Sequence, residues 1–387
     1  MNVLPWYKVI LLFILFYSNS VLSQVNVKIE WSECIELPSS VRGTKHAGLA
    51  GAFCGALNNT LVLIGGANFP ESMPWDGGKK KYCDEVYLLK LSDTPPFNWI
   101  EKKNKFPVSI AYGAGIVYHN KMICIGGENE NGISDKVWEL TLNAEEDGLL
   151  IKEITRLPVP LTNLTAACIG HKLYIAGGET KDQVSSKLYS LDLHRVTDGF
   201  TTLSDIPVAV SHTLLLPSGL KSNADLYLIG GRKKNTNGVS TLYSTVYRYH
   251  TKSNTWTEKA ELPYTLSALV GIRIKKNQFL ITGGDKGETF SKTEHYLSAI
   301  QSEPDLQKKQ ELINLKNQLL AHHPGFKGNL LYYDVKKDNW TIGERFSFEV
   351  PVTTMAVLWK KTIFLPSGEI RAGVRSPQII QGKIKQK

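Results

Sequence analysis

Leu61-Val62-Leu63-Ile64-Gly65-Gly66-Ala67-Asn68 is an apolar run that stops on a glycine pair, and the same event recurs four times further along the chain and once more with Ser-Gly in place of the pair. The later copies read MICIGGEN over 122–129, LYIAGGET over 173–180, LYLIGGRK over 226–233, FLITGGDK over 279–286 and TIFLPSGE over 362–369. Their last glycines, Gly66, Gly127, Gly178, Gly231, Gly284 and Gly368, are 61, 51, 53, 53 and 84 residues apart. Ahead of the pairs lie two apolar runs around a polar turn, as in GAGIVY-HN-KMICI (113–125), TAACI-GH-KLYIA (165–176) and GIRI-KKN-QFLIT (271–282). Such pairs of runs predict β-hairpins.

A period near fifty with a glycine pair closing a strand is the pattern of a kelch-type β-propeller, one four-stranded blade per copy. The expected fold is all-β, a six-bladed propeller. Aromatic residues beyond the pairs, Tyr87 and Trp99, Trp138, Tyr189, Tyr247 and Trp256, Tyr332 and Trp340, are expected to pack between blades.

The chain ends follow the same rhythm. Trp256 precedes Leu262-Pro263 by six residues, Trp340 precedes Phe346 by six, and Trp31 precedes Leu37-Pro38 by six. Residues 25–31 therefore read as the last strand of a blade whose beginning lies at 362–384. Both termini share that blade, which leaves no open sheet edge.

Before that strand, MNVLPWYKVILLFILFYSNSVLS has one cation, Lys8, an apolar stretch and a small-residue ending, the pattern of a signal peptide over 1–23. Its apolar core is short for a membrane span, so the expectation is an exported chain, periplasmic or secreted, with no stable membrane insertion after cleavage. The remaining 364 residues (387 minus 23) form one propeller domain, 24–387.

With 45 Lys+Arg against 36 Asp+Glu, the net charge of +9 is mildly basic and unclustered, which argues against nucleic acid and suits a small anionic ligand. Cys34, Cys54, Cys83, Cys124 and Cys168 are odd in number and several lie in apolar runs, so they read as free thiols. Cysteine and histidine occur nowhere at metal-ligand spacing, and neither a metal nor another cofactor is expected. Oligomeric state leaves no mark in the sequence.

The longest interval, 84 residues against the usual 53, holds an insertion. Ser302-Glu303-Pro304-Asp305 resembles a helix start, and Leu306, Leu312, Ile313, Leu315, Leu319 and Leu320 recur on a helical period up to His322-His323-Pro324-Gly325. A helical insertion over about 297–323 is predicted, either covering blade edges or acting as a lid.

In such a blade the loop after the second strand and the loop entering the next blade open on the same face. The residues after the glycine pairs, Ala67-Asn68, Glu128, Glu179, Arg232, Asp285 and Glu369, should therefore ring one channel mouth with Arg42, Lys45, His46, Tyr112, Asn163, His212 and Thr354. The last copy continues differently, as Ser367-Gly368-Glu369-Ile370-Arg371-Ala372-Gly373-Val374-Arg375. A carboxylate and a guanidinium stand six residues apart on a glycine-bent loop.

That G-E-x-x-x-G-x-R segment resembles one in the bacterial N-acetylneuraminate epimerase (sialic acid mutarotase) family, where the Glu and Arg are the proposed active-site pair. AGLAGAFCGALNNTLVLIGGANFP (47–70) and GGKKKYCDEVYLL (77–89) are similar to that family's glycine-rich strand and basic loop, with Lys79, Lys80 and Tyr82 matching. The blade order is rotated, as in a cyclically permuted branch of the family; a closed ring tolerates that.

The resemblance implies an isomerase that interconverts the anomers of an acidic sugar, with Glu369 as acid/base and Arg375 pairing with the sugar carboxylate. Arg42, Asn68, Lys79, Lys80, Tyr112, His212 and Arg232 complete the expected substrate contacts, Lys79, Lys80 and Arg232 making the mouth electropositive. The alternative is a kelch propeller that binds glycans or a protein without turnover. A sialidase is disfavoured because the chain lacks Ser-x-Asp-x-Gly-x-x-Trp repeats, and copper-oxidase chemistry because nothing pairs His46 with His212.

Overall fold

Apolar runs broken at recurring intervals by glycine turns cannot bury both faces of their strands alone, so the sheets stack on one another. The structure, a computed structural model, describes residues 27–39, 44–102, 104–236, 238–326 and 328–385. The signal peptide expected at 1–23 and Arg42 lie outside them.

The predicted six blades are present. Each is an antiparallel sheet of at least four strands, named I to VI here by the order of the glycine pairs. Blade I runs from Phe53–Leu57 at the channel through Thr60–Ile64 and Glu85–Lys90 to Asn98–Trp99 at the rim. Blade VI joins the termini: Val357–Trp359, Thr362–Pro366 and Gln378–Lys385 are completed by Lys28–Glu36, whose Trp31 pairs with Gly382.

The core lies between blades rather than within them. Among the described residues it forms six apolar clusters, each drawn from two neighbouring blades. One joins Ile123, Ile125 and Val137 of blade II to Leu173, Ile175 and Leu191 of blade III. Another joins Leu61, Leu63 and Leu89 of blade I to Phe364 and Ile379 of blade VI, which seals the ring across the chain ends.

The rim tryptophans bind across these seams. Trp256 Nε1 donates to the Ser204 carbonyl at 3.1 Å, Trp340 Nε1 to Ala260 at 2.8 Å and Trp99 Nε1 to Glu36 at 2.9 Å. Each such bond contributes about 0.5–1.5 kcal/mol and, more usefully, sets the angle between blades.

The insertion is larger than the sequence suggests. Two helices stand there, α1 (Glu288–Ser302) and α2 (Leu306–Ala321), instead of one over 297–323. The cap of α2 is Asp305, whose carboxylate accepts from the Gln307 and Lys308 amides, while Ser302 ends α1. α1 begins at Gly287 in the left-handed region without a side-chain cap, so its start carried no capping residue to read.

All five cysteines are free, and burial pushes the Cys54 thiol up to about 12. Among the described residues no helix is long and apolar enough to cross a membrane, and no group of three or more His, Cys, Asp or Glu could hold a metal ion.

Candidate functional site

The mouth is built on a feature of the backbone. Gly51, Tyr112, Asn163, His212, Ala268 and Thr353 occupy equivalent places in the six blades, and all have φ between 50° and 69°. Tyr112 N–H donates to the Gly51 carbonyl, Asn163 to Tyr112, His212 to Asn163, Ala268 to His212 and Gly51 to Thr353, at 2.7–3.0 Å. This collar of amide bonds fixes the channel's width. In blade VI the collar residue is Thr353, one position before the Thr354 expected from sequence.

Outside the collar stands a second ring. The residue after each glycine pair bridges to the residue before the collar: Ala67 to Ala50, Glu128 to Ala111, Glu179 to Thr162, Arg232 to Ser211, Asp285 to Ser267 and Glu369 to Val352. Five of these six positions carry charge, so the repeat itself converges ionisable groups on one opening.

In blade VI, Glu369–Arg371 turns back on Val374–Arg375, with Glu369 directly opposite Arg375. Six residues of separation thus become a cross-strand pair. Glu369 Oε1 accepts from the Gly373 amide at 2.7 Å, and Oε2 lies 3.7 Å from Arg375 Nη2. The Arg375 side chain is 5% exposed and its guanidinium lies over the Phe69 ring at 4.6 Å. Its Nε and Nη1 are sealed from solvent without a partner among the described residues. Tyr112 is close by; burial pushes its phenol up to about 12 against the opposing pull of Arg375, so it stays a hydrogen-bond donor.

Glu369 faces a cavity of about 230 Å³ together with Arg232, His212, Asp285 and His323. Thr289, Phe290 and Thr293 of α1 and Leu320 of α2 line it too, so the helices cover the mouth rather than blade edges. α2 also reaches past blade VI to the loop of blade I, where Asn317 Nδ2 donates to the Trp75 carbonyl at 2.9 Å. The cavity shares His212, Ala268 and Thr353 with a channel cavity of about 240 Å³. Jointly they fall within the size range of small-molecule sites, roughly 300–1,000 Å³.

Arg232 lies over the Phe290 ring at 4.3 Å and contacts both nitrogens of His212 at 3.2–3.3 Å. Burial, then Arg232, holds His212 below its usual range, so the ring is neutral near pH 7. Glu179, 3.4 Å from His212 and bonded by Ser211 Oγ at 2.6 Å, is brought down to about 2: burial opposes ionisation, but His212, Ser211 and Arg232 together outweigh it. A carboxyl lowered in the fold stabilises it fully above its ordinary value of 4.5 and loses that effect as pH falls through about 2. Glu179→Gln is therefore expected to flatten the loss of stability between those values, measured by chemical denaturation across that range.

The remaining expected contacts separate. Lys80 sits 4.9 Å from both the Tyr82 and Tyr112 rings and 3.4 Å from Glu128, which also accepts from Tyr82 at 2.7 Å. Lys79 is exposed and lines neither cavity. Asn68 is buried, its amide donating to the Gly48 carbonyl at 3.0 Å, which makes it a brace for the loop against Arg375. The mouth is not electropositive either: Lys80, Arg232 and Arg375 face Glu128, Glu179, Asp285 and Glu369. Phe69 and Phe290 were absent from the expected site, since an aromatic ring that stacks on a distant guanidinium leaves no local signature.

The family model described as N-acetylneuraminate epimerase matches residues 18–148 and 155–387. Curated N-acetylneuraminate epimerases are similar over shorter stretches. That of Salmonella enteritidis is 24% identical over 225 residues, 58% of this chain and 56% of the relative. That of Pasteurella multocida is 32% identical over 115 residues, 27% of this chain and 29% of the relative. That of Salmonella paratyphi B is 34% identical over 137 residues, 33% of each. The chain thus spans between about a third and just over half the length of these relatives. The family model matches nearly the whole sequence, and the chain belongs to the N-acetylneuraminate epimerase family.

Proposed function

We propose that this protein is a mutarotase that interconverts the anomers of N-acetylneuraminate or a closely related acidic keto sugar. The observation that carries the reading is Glu369, fixed by the Gly373 amide and Arg375 and open to a cavity that also holds Arg232. Anomer exchange needs the anomeric hydroxyl to lose its proton while the ring oxygen gains one. The C–O bond then opens, and the chain closes on the other carbonyl face. Glu369 takes and returns the hydroxyl proton, a task suited to a carboxylate held in one orientation.

Arg375 serves differently from the expectation drawn from the resemblance. Its side chain is 5% exposed, stacks on the Phe69 ring and faces Glu369, so it is assigned the orienting of that carboxylate. The cation that lines the cavity is Arg232, and it is assigned the sugar carboxylate, with His212 behind it. Phe290, Leu320 and Phe326 supply apolar wall for the sugar's carbon face. The signal-peptide pattern read in residues 1–23 supports export, to the periplasm or beyond.

The test is NMR of freshly dissolved N-acetylneuraminate, following the approach to anomeric equilibrium with and without protein at a pH where the spontaneous rate is slow. The expected result is a shorter equilibration time that scales with protein concentration. Superimposable time courses would remove the reading.

A further inference from the structure

Anomer exchange moves two protons, one off the hydroxyl and one onto the ring oxygen, and Glu369 accounts for the first. We propose that Asp285 is the second acid/base group, the one that protonates the ring oxygen. The inference rests on the mutarotase reading and extends it to a residue outside the Glu/Arg hairpin.

Asp285 holds in blade V the place that Glu369 holds in blade VI. Each follows the closing glycine of its copy, Gly284 or Gly368, and bridges to the residue before the collar, Ser267 or Val352. Both line the same cavity, with Arg232 on the neighbouring blade and α1 as roof. Asp285 Oδ1 accepts from the Gly287 amide at 2.7 Å, and among the described residues Oδ2 takes no hydrogen bond. The amide that orients Asp285 also starts α1, so the carboxyl is set by the same turn that launches the roof. Arg232, Glu369 and Glu288 are its charged neighbours, and His212 and His323 share the walls. Burial raises the carboxyl above its ordinary value; the Gly287 amide and Arg232 pull it down, and Glu369 and Glu288 push it further up. Two carboxyls in one cavity, one raised by burial and a like charge, divide naturally into acid and base.

The step balances without any further reactant. The Glu369 carboxylate takes the anomeric hydroxyl proton, the O–H pair forms the carbonyl, the bond from the anomeric carbon to the ring oxygen breaks, and that oxygen takes the Asp285 proton. Closure on the opposite face returns the ring-oxygen proton to Asp285 and the Glu369 proton to the new hydroxyl. No net proton is gained or lost.

The experiment measures kcat and KM for N-acetylneuraminate anomerisation by NMR from about pH 4, near the ordinary aspartate value, up to about pH 8 for the wild-type protein, Asp285→Asn and Asp285→Glu. Asp285→Asn is expected to lower kcat about 100-fold with KM within about threefold and to abolish the alkaline decline of kcat. Asp285→Glu is expected to restore part of both. A merely structural role would not move the alkaline limb. An Asp285→Asn protein with kcat within about threefold of wild type, or with that limb intact, overturns the proposal. Should this variant fail to fold by near-ultraviolet circular dichroism, the wild-type profile decides: a kcat that does not fall on the alkaline side refutes the assignment. Absence of any wild-type acceleration is a separate result, which removes the mutarotase reading itself.

Discussion

Glu369→Gln is expected to slow the catalysed interconversion of anomers by about 10²–10⁴-fold, the range for loss of a positioned acid/base group. The amide keeps the volume of the side chain and an oxygen for the Gly373 N–H, now at 2.7 Å, so the hairpin retains its turn. What disappears is proton exchange at the cavity and the negative charge facing Arg375 at 3.7 Å. Because Arg375 is almost fully enclosed, its charge is left uncompensated. Breaking such a buried pair costs about 3–5 kcal/mol, and the lower part of that range applies since the Glu369 side chain is 17% exposed. Two readouts then separate chemistry from folding. Adding Arg375→Met to Glu369→Gln removes the stranded cation and should recover stability in a denaturant titration while leaving turnover lost. Wild-type turnover in Glu369→Gln would show that the carboxylate does no proton transfer.

The second large effect is structural. Gly177→Ala is expected to cost more than about 3 kcal/mol, against about 1–2 kcal/mol for Gly170→Ala. Both glycines have nearly the same left-handed φ, +61° and +59°. Around Gly170 a new methyl meets nothing within 4 Å, whereas at Gly177 it falls 2.2 Å from the Val210 carbonyl oxygen. That carbonyl accepts from the Gly178 amide at 2.9 Å and leads directly into Ser211 and His212. Relief of the clash has to push blade IV's entering loop off blade III, which also moves His212 and Arg232. Denaturant titration of the two variants isolates the contact from the backbone preference. Equal destabilisation of the two would show that steric crowding is not what the glycine pair answers.

Some of the site was open to reading before any coordinates. Glu369 and Arg375 are six residues apart around Gly373, and a short hairpin brings such residues face to face whatever surrounds them. The other convergence was legible in outline only, because each post-glycine residue is placed by its own blade and all blades share one axis. Asn68 shows the limit. It follows a glycine pair like the others, but it is the second residue after it, and on a strand the second residue points to the other face, here toward Gly48. The helices show another limit: α2 announced itself through Asp305, while α1, uncapped and nowhere fully buried, had neither boundary nor face to read.

By itself the sequence determined the ring, its six blades and its closure through the termini, since the glycine pairs and the spacing of strands around them are local and repeat. It also placed the carboxylate and guanidinium of blade VI on one bend. Only the tertiary structure decided that Arg375 is enclosed under Phe69 while Arg232 and Asp285 line the cavity with Glu369, and that a helical pair rooted in blade V covers the opening as far as Trp75. Those facts depend on which side chains from separate blades and loops cover one another, and burial of that kind is a property of the assembled surface, not of any stretch of chain.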